Sequence, residues 1–357
     1  MTKQILNNII ASEPQTILSN PGKPFNYFGW PSIARLQNGE LAVTCSGFRK
    51  AHVCPFGKAV MITSSDEGRT YSSPTAVIDT PLDDRDSGVV PFGESGVIVT
   101  SFNNTREFQR KCNPGRKDYS DYLDTVTDED EKKYLGSTFR ISQDCGKTFG
   151  KIHISPVTSP HGPTVLKSGK ILWVGRAFNA QSEENERIEA WTVETDGKMT
   201  FVGAVPQVFR NGKLICSCEP HAIELPDGTI LCQFRGEWGL FTVFQTISRD
   251  GGATWSEPVQ LLSDRGGSPP HLLLHSSGTL ISSYGYREKP YGIRVMLSND
   301  FGKTWKTDIV LREGAFSADL GYPATVELKD HSLLTVFYEF DENEKAAVIK
   351  QIKWDIV

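Results

Sequence analysis

Apolar and polar residues alternate in short runs that recur as one unit along most of the chain. Each unit begins with a small residue or a proline, alternates through apolar positions to a polar turn, and ends in a second apolar run. The turn pairs are Asn-Gly, Ser-Gly, Asp-Gly or Asp-His, and they lie at 38–39, 95–96, 168–169, 227–228, 277–278 and 330–331. Alternation with a period of two around such turns is typical of a β-hairpin. The pattern therefore predicts six hairpins, the first residues of which are 31, 88, 161, 220, 270 and 323.

A second motif follows most of the hairpins at a regular distance. It has the form Ser-x-Asp-x-Gly-x-Thr-aromatic and occurs at 64–71, 142–149, 248–255 and 298–305, with a degenerate copy at 196–201. The Ser and Asp side chains are suited to bonding the backbone of a turn, the Gly to a positive φ, and the aromatic ring to packing beneath the turn. We interpret these aspartates as structural and not as catalytic residues.

This octapeptide resembles the Asp-box of the sialidase superfamily, whose members are six-bladed β-propellers. The resemblance implies an all-β fold of six four-stranded antiparallel blades, with the first hairpin of each blade innermost. One domain would span 1–357, and an N-terminal strand would close the last blade beside the C-terminal run at 346–354. Residues 103–136 form an insertion in the second blade, with a short helix near 128–135, and could cap a pocket, contact another subunit or be merely solvated. The acidic run at 182–186 is predicted to be a solvent-facing loop.

Composition narrows the class of protein further. The 357 residues carry a net charge of −5, which argues against a general nucleic-acid binder. No stretch approaches the ~20 apolar residues of a membrane span, and the N-terminus is a poor signal peptide. Seven dispersed cysteines favour a reducing compartment over a disulfide framework. We expect a cytoplasmic protein, or a secreted or periplasmic one if a leader has been removed.

The direction of the strands predicts where a pocket lies. The segment before each first hairpin and the loop after its second strand share one face of the ring, whereas the Asp-boxes lie on the opposite face. Loops on the first face are rich in arginine, histidine, acids and aromatics, which suits a polar, anionic sugar. Trp30 and His161 lie on these segments and are candidates for substrate binding.

Two residues occupy the same slot of the repeat, immediately before a proline. Glu219 precedes Pro220 and Tyr322 precedes Pro323, so both side chains are expected to point toward the axis. In the sialidase family a Glu before the fourth hairpin deprotonates a nucleophilic Tyr before the sixth. The resemblance implies these roles for Glu219 and Tyr322. Taken singly, an ion pair for Glu219 and simple packing for Tyr322 are equally good interpretations.

The chemistry of the pair is consistent with this interpretation. A tyrosine with a pKa near ~10 needs an adjacent base to become a nucleophile, and an anionic sugar would repel a carboxylate nucleophile. Family members also hold the substrate carboxylate with an arginine cluster, for which the guanidinium fork is suited. Arg235 resembles one of these arginines and Arg287 another.

The chain departs from the family at two points. Gly29 stands where the first arginine of the clamp is expected, so that arginine is missing or is supplied by Arg49 or Arg85. The first-blade loop at 47–57 lacks the acid/base aspartate of the family. His52 could replace it because histidine titrates near neutrality. Asp86 or Asp84, which open the second blade, could also reach inward.

Histidines near the axis raise the question of a metal. His161, His221 and His271 fall at or next to the repeat slot, but the last two follow the slot and should point sideways between blades. We therefore expect no metal and no cofactor.

Three functions remain open from the sequence. The first is a retaining exo-glycosidase that releases a terminal acidic sugar, sialic acid or a related one, from a glycan. The second is a propeller hydrolase or lyase that acts on uronic-acid or other non-sialic glycans. The third is a non-catalytic carbohydrate-binding propeller. The expected partner is a glycan or a small acidic sugar, not a nucleic acid or a membrane, and the oligomeric state is left open.

Overall fold

The computed structural model describes residues 4–6, 9–178, 187–237 and 239–357. Within these ranges the chain forms a ring of six antiparallel blades, which confirms the predicted all-β propeller. The acidic run predicted as a loop at 182–186 lies outside the described residues.

The N-terminal strands and the first two blades follow one another along the chain. Before the first blade lie β1 (Gln4–Leu6), β2 (Ile9–Ala11) and β3 (Gln15–Leu18). Blade one contains β4 (Tyr27–Arg35), β5 (Leu41–Arg49), β6 (Lys58–Ser64) and β7 (Thr75–Ile78). Blade two contains β8 (Val89–Phe92), β9 (Gly96–Phe102), β10 (Ser137–Ser142) and β11 (His153–Ser155). Its insertion holds three helices, α1 (Arg106–Cys112), α2 (Lys117–Thr125) and α3 (Asp128–Tyr134).

The remaining blades complete the ring. Blade three contains β12 (Val157–Thr158), β13 (Thr164–Val165), β14 (Ile171–Ala177), β15 (Ile188–Val193) and β16 (Met199–Ala204). A small hairpin follows, β17 (Phe209–Arg210) and β18 (Lys213–Leu214). Blade four contains β19 (Ser217–Glu224), β20 (Ile230–Gly236), β21 (Thr242–Ser248) and β22 (Val259–Gln260). Blade five contains β23 (Pro270–Leu274), β24 (Leu280–Tyr286), β25 (Gly292–Ser298) and β26 (Lys306–Glu313). Blade six contains β27 (Leu320–Glu327), β28 (Leu333–Asp341) and β29 (Ala346–Ile356).

The two ends of the chain meet in blade six. Strands β2 and β3 both pair antiparallel with β29 and supply the outer edge of that blade. Apolar side chains of blades six and one, among them Phe28, Val336 and Ile349, pack into one buried cluster. The ring is therefore closed by main-chain pairing and by hydrophobic packing at the same junction.

The Asp-box turns have the structural role predicted for them. In the third full copy, Asp250 accepts hydrogen bonds from the backbone N–H and hydroxyl of Thr254 at 2.9 and 2.6 Å. Ser248 accepts the N–H of Gly252 at 2.9 Å, and the Trp255 indole donates to the Gly252 carbonyl at 2.9 Å. Hydrogen bonds, first of all from the Thr254 hydroxyl, lower the pKa of Asp250 to about 2. These carboxylates therefore stay ionised and serve the turn.

The inner strands of the six blades contact one another around the axis. Each belongs to its own sheet, so among the described residues no main-chain ladder joins neighbouring blades there. None of the helices in the described part of the chain is long and apolar enough to cross a membrane.

Candidate active site

Four residues near the axis of the ring have a strained backbone conformation with a positive φ. Trp30, Asp86, Glu219 and Tyr322 each open a blade and have positive φ values of 56°, 46°, 52° and 50°. At Glu219 and Tyr322 the strand pairing also shifts register, between Cys218 and His221 and between Gly321 and Ala324. Such bulges re-aim a side chain, and a non-glycine residue with positive φ costs of the order of 1–3 kcal/mol. Strain repeated at one slot marks this slot as the candidate site.

The structure brings Glu219 and Tyr322 together. The Tyr322 hydroxyl donates a hydrogen bond to Oε1 of Glu219, and the tyrosine is only 5% exposed. Burial, reinforced by the negative charge of Glu219, raises the pKa of Tyr322 well above its usual value. Burial would also raise the pKa of Glu219, but the charge of Arg235 and the bond from Tyr322 outweigh it and lower that pKa. At neutral pH the proton therefore resides on the phenol, beside an ionised base.

Arg235 contacts the same carboxylate from the end of β20. Its Nη1 lies 2.8 Å from Oε2 of Glu219, and its guanidinium also pairs with Glu237. The guanidinium stacks over the ring of Phe241, 4.6 Å from the centroid. Burial raises the pKa of Glu237, whereas Arg235 opposes the rise. Glu237 was not singled out from the sequence, and its only signal is its place two residues after Arg235.

Arg287 approaches Tyr322 from blade five. Its guanidinium carbon lies 5.8 Å from the centre of the Tyr322 ring, and its Nε donates to the Leu320 carbonyl at 3.1 Å. Within the described residues its Nη groups make no hydrogen bond. They are therefore available to an incoming anion.

Asp86 is the acidic residue of the second blade that belongs to the site. Burial, together with the charge of Glu219, raises the pKa of Asp86 to about 7, although Arg85 opposes the rise. Its Oδ1 atom is buried and has no hydrogen-bond partner among the described residues. Asp84 is engaged elsewhere, since its carboxylate accepts the backbone N–H and hydroxyl of Thr80 at 2.6 and 2.9 Å.

Trp30 fills the hub position beside the missing arginine. The guanidinium carbons of Arg49 and Arg85 lie 4.9 and 4.6 Å from the centre of its ring, and the ring of Tyr322 is nearly perpendicular to it, with centroids 6.4 Å apart. A Cβ added at Gly29 would lie only 3.3 Å from the ring of Tyr27. An arginine at position 29, which the resemblance to sialidases leads one to expect, would therefore have its Cβ against the ring of Tyr27.

Arg49 and Arg85 differ in what they can still bind. Arg49 is fully buried, and its guanidinium contacts Asp83 (2.6 Å) and donates to Ser46 (2.7 Å) and to the His52 carbonyl (2.7 Å). The structure therefore places Arg49 against the ring of Trp30, with its donors engaged by the protein. Arg85 lies 4.0 Å from Asp83, and its buried Nε has no partner among the described residues.

His52 lies at the edge of Trp30, with ring centroids 4.8 Å apart. Its Nδ1 is 3.2 Å from Asp319, which also accepts the hydroxyls of Tyr27 (2.9 Å) and Tyr338 (3.1 Å). Burial is the main cause that lowers the pKa of His52. The sequence did not point to Asp319, because the loop that precedes β27 carries no repeat signal.

The insertion at 103–136 supports the loop that carries His52. Tyr122 and Tyr119 of α2 contact the ring of Phe56 at 4.7 and 5.8 Å. The side-chain amide of Asn113 donates to the Val53 carbonyl at 3.2 Å. This bracing of the pocket loop is not among the roles predicted for the segment, which were a cap, a subunit contact or a solvated excursion.

Two cavities are lined by residues of the candidate site, the first by Glu219 and the second by Arg287. One of about 270 Å³ is lined by Asp86, Phe102, Phe178, Glu219, Arg235 and Glu237, among others. The other, of about 280 Å³, is lined by Phe241, Ser268 and Arg287, among others. A larger cavity of about 780 Å³ lies between α3 and blades two and three and contains no predicted site residue.

His161 does not reach either cavity. It is 3% exposed and contacts Ser32, His221 and His271 in a separate axial cavity. Within the described residues no group of three or more His, Cys, Asp or Glu side chains is arranged to hold a metal ion.

The fold and the repeats define a class of protein. A ring of six blades with Asp-box turns is a β-propeller built from BNR-type repeats. Residues 122–335 match the BNR repeat-like domain, and the chain belongs to this family.

Solved structures share the architecture at low sequence identity. A protein of unknown function from Dyadobacter fermentans DSM 18053 is 21% identical, with a TM-score of 0.78, over 98% of this chain and 100% of that one. The NanB sialidase of Streptococcus pneumoniae is 14% identical, with a TM-score of 0.70, over 96% and 70%. The intramolecular trans-sialidase of Ruminococcus gnavus is 13% identical, with a TM-score of 0.64, over 95% and 97%. These likenesses show the fold alone.

A curated relative matches only part of the chain. It is a Na(+)-translocating NADH-quinone reductase subunit of Yersinia pestis (strain Pestoides F), and it is 27% identical over 35% of this chain and 36% of its own length. The chain thus spans about a third of that relative.

Proposed function

We propose that the protein is a retaining exo-glycosidase that uses Tyr322 as its nucleophile and releases a terminal acidic sugar from a glycan. The observation that carries the proposal is the hydrogen bond from the Tyr322 hydroxyl to Glu219, at the hub of the ring. A buried phenol beside an ionised base has the activation that a tyrosine nucleophile needs.

In the first step the Tyr322 oxygen attacks the anomeric carbon, and its proton passes to Glu219. The bond to the leaving group breaks as Asp86 donates a proton to the leaving oxygen. A pKa of about 7 keeps a large fraction of Asp86 protonated at neutral pH, as a general acid requires. The result is a glycosyl–tyrosine intermediate and a free alcohol.

In the second step Asp86, now ionised, takes a proton from a water molecule as that water attacks the anomeric carbon. The Tyr322 oxygen leaves and recovers its proton from Glu219. Two inversions give net retention, and both carboxyl groups return to their starting states. His52 is the alternative acid/base, held by Asp319 at the rim.

An acidic sugar is supported by the cations of the site. The two carboxylates of Glu219 and Glu237 offset the single charge of Arg235, whereas the Nη groups of Arg287 and the Nε of Arg85 have no hydrogen-bond partner among the described residues. We assign these two arginines, with Arg235, to the anionic group of the sugar. Trp30 closes the side from which the family arginine is absent.

The absent arginine also favours a second candidate. The enzyme would then be a hydrolase or lyase that acts on a uronic acid, whose carboxylate is attached to the sugar at another position than that of sialic acid. His52 could serve as its proton-transfer group. Assays with a fluorogenic sialoside and with uronic-acid polymers, the latter read by the absorbance of an unsaturated product, separate the two. Hydrolysis trapped as a fluorosugar adduct on Tyr322 would support the proposal. Binding without turnover of any glycan in a panel would instead indicate a carbohydrate-binding propeller.

A further inference from the structure

Three histidines from blades three, four and five meet near the axis of the ring. His221 and His271 stack face to face, with ring centroids 4.4 Å apart and planes inclined by 12°. His161 contacts both in edge arrangements, at 5.5 and 4.8 Å. None of the three belongs to the proposed mechanism, and all are at least nine-tenths buried.

Two of these side chains tie the inner strands of successive blades. Nδ1 of His221, on β19, accepts the backbone N–H of Leu272 on β23 at 2.9 Å. Nδ1 of His271, on β23, accepts the backbone N–H of Thr325 on β27 at 3.3 Å. Because β19, β23 and β27 belong to separate sheets, these bonds supply polar links that no main-chain ladder provides.

The ties run between the strands that carry the catalytic pair. His221 follows Glu219 by two residues, and Thr325 follows Tyr322 by three. Strand β19 is thus linked to β27 through two imidazole-to-backbone hydrogen bonds, with the inner strand of blade five, β23, between them. Both bonds therefore lie on a path that connects the strand of Glu219 with the strand of Tyr322.

The hydrogen bonds also fix the protonation state of the two rings. A ring nitrogen that accepts an N–H bond carries no proton, so the neutral form of His221 and His271 has its proton on Nε2. A protonated imidazole bears hydrogen on both nitrogens and cannot accept either bond. The same assignment leaves no lone pair on Nε2 for a metal ion.

We propose that His221 and His271 are positioning residues that fix blade four against blade six and so hold Glu219 against Tyr322, and that protonation of these rings releases the contact. The catalytic meaning of the contact rests on the proposed function, whereas the contact itself can be measured without substrate.

The surroundings keep the rings neutral near pH 7. The axial cavity of about 280 Å³ is lined in its described part by apolar residues, prolines, hydroxyls and these histidines, with no acidic or basic side chain. Burial lowers the pKa of His221 to about 4. Burial and the two neighbouring imidazoles lower that of His271 well below its usual value, and burial and His221 do the same for His161.

The experiment compares two double variants of the full chain. His221→Asn with His271→Asn keeps a side-chain acceptor near each Nδ1 but cannot titrate, whereas His221→Leu with His271→Leu removes the acceptor. The tautomers are determined by NMR of protein with ¹⁵N-labelled imidazole. The Glu219–Tyr322 contact is followed by the ¹³Cζ signal of Tyr322, assigned with Tyr322→Phe, and Glu219→Gln gives the signal of the broken contact.

We expect the wild-type rings to carry their proton on Nε2 at pH 7, and the Tyr322 signal to move as they titrate in acid. Protonation of Glu219 moves the signal in every variant, so the asparagine variant should lack only the part of the acid shift that follows the imidazole titration, and the leucine variant should show the signal displaced already at pH 7. A proton on Nδ1 of either ring, or equal acid shifts in wild type and the asparagine variant, would overturn the proposal. If the leucine variant does not fold, the asparagine comparison decides alone. If the contact behaves as expected but no glycan is cleaved, the proposed function fails and the positioning role stands.

Discussion

Glu219 and Tyr322 are 103 residues apart in the chain, yet one hydrogen bond joins their side chains at the hub of the propeller. Both residues open a blade, both have positive φ, and both sit at a register shift in the inner strand. Two blades have thus placed different chemical groups at the same geometric slot. Because the ring closes, these equivalent positions of blades four and six both face the axis, where the two side chains meet.

Removal of the phenol should abolish turnover without abolishing binding. We expect Tyr322→Phe to lower kcat by at least about 10³-fold, because the nucleophile is lost. Glu219→Gln should lower it by about 10²–10⁴-fold, since general-base assistance is lost. Steady-state kinetics on the substrate found in the glycan panel, with ligand binding by calorimetry, checks both. Tyr286→Phe is the matched control outside the pair and should leave kcat unchanged, and full activity of Tyr322→Phe would remove the nucleophile assignment.

The sequence predicted the blades because the six repeats can be aligned with one another. The same alignment showed that Glu219 and Tyr322 occupy equivalent positions in their repeats. Residues outside the repeat were harder to place. Arg49 and Asp319 lie in or beside loops whose path depends on tertiary packing, so their partners Asp83 and His52 could not be deduced from spacing. Arg49 is buried because it pairs with Asp83 inside the protein, and this pairing is visible only in the three-dimensional structure.

Acid catalysis by Asp86 should impose a distinct dependence on pH and on leaving group. The glycosylation step needs protonated Asp86, so kcat/KM should fall as pH rises through about 7. Asp86→Asn should lose this limb and slow a natural glycoside by about 10²–10⁴-fold, but slow an activated aryl glycoside much less. Asp121→Asn, on the exposed face of α2, is the control. An equal effect of Asp86→Asn on both leaving groups would argue against the role.

The same carboxyl should cost stability when it ionises. The folded pKa of Asp86, about 7, lies above the unfolded value of 3.8, so the folded state loses stability as pH rises from about 4 to above 7. We expect Asp86→Asn to raise the free energy of unfolding at pH 8 by up to about 4 kcal/mol, with a smaller gain at pH 5. Urea titrations at the two pH values measure the difference. A gain independent of pH would mean that Asp86 is not held above its usual pKa.

The arginines that keep free donors should control the affinity for the acidic group. Arg287→Lys and Arg85→Lys retain the charge but lose the planar fork, and we expect each to raise KM for an acidic sugar by about tenfold or more. A neutral analogue of the sugar should be unaffected. Arg210→Lys is the control, because Arg210 is exposed, paired with Asp264 at 2.7 Å and lines neither cavity of the site. Equal losses with acidic and neutral ligands would assign Arg287 and Arg85 a purely structural role.

The buried pair of Arg49 and Asp83 should be the most sensitive charged contact for stability. Both side chains are fully buried 2.6 Å apart, and Oδ2 of Asp83 also accepts the Cys54 N–H at 3.0 Å. Asp83→Ala leaves a buried guanidinium without its counter-ion, for which we expect a loss of about 3–5 kcal/mol in the free energy of unfolding.

Replacement of both members of this pair distinguishes a stabilising bond from an unpaired charge. The double variant Arg49→Met, Asp83→Leu removes both charges and should recover much of the loss, because the penalty arises from the isolated cation. The exposed pair of Lys117 and Asp121 provides the reference, and Asp121→Ala should change stability by less than about 1 kcal/mol. Urea unfolding of the four proteins at pH 7 yields these values. If the double variant were as unstable as Asp83→Ala, the cost would have to be attributed to lost packing and to the Cys54 bond, and not to the charge of Arg49.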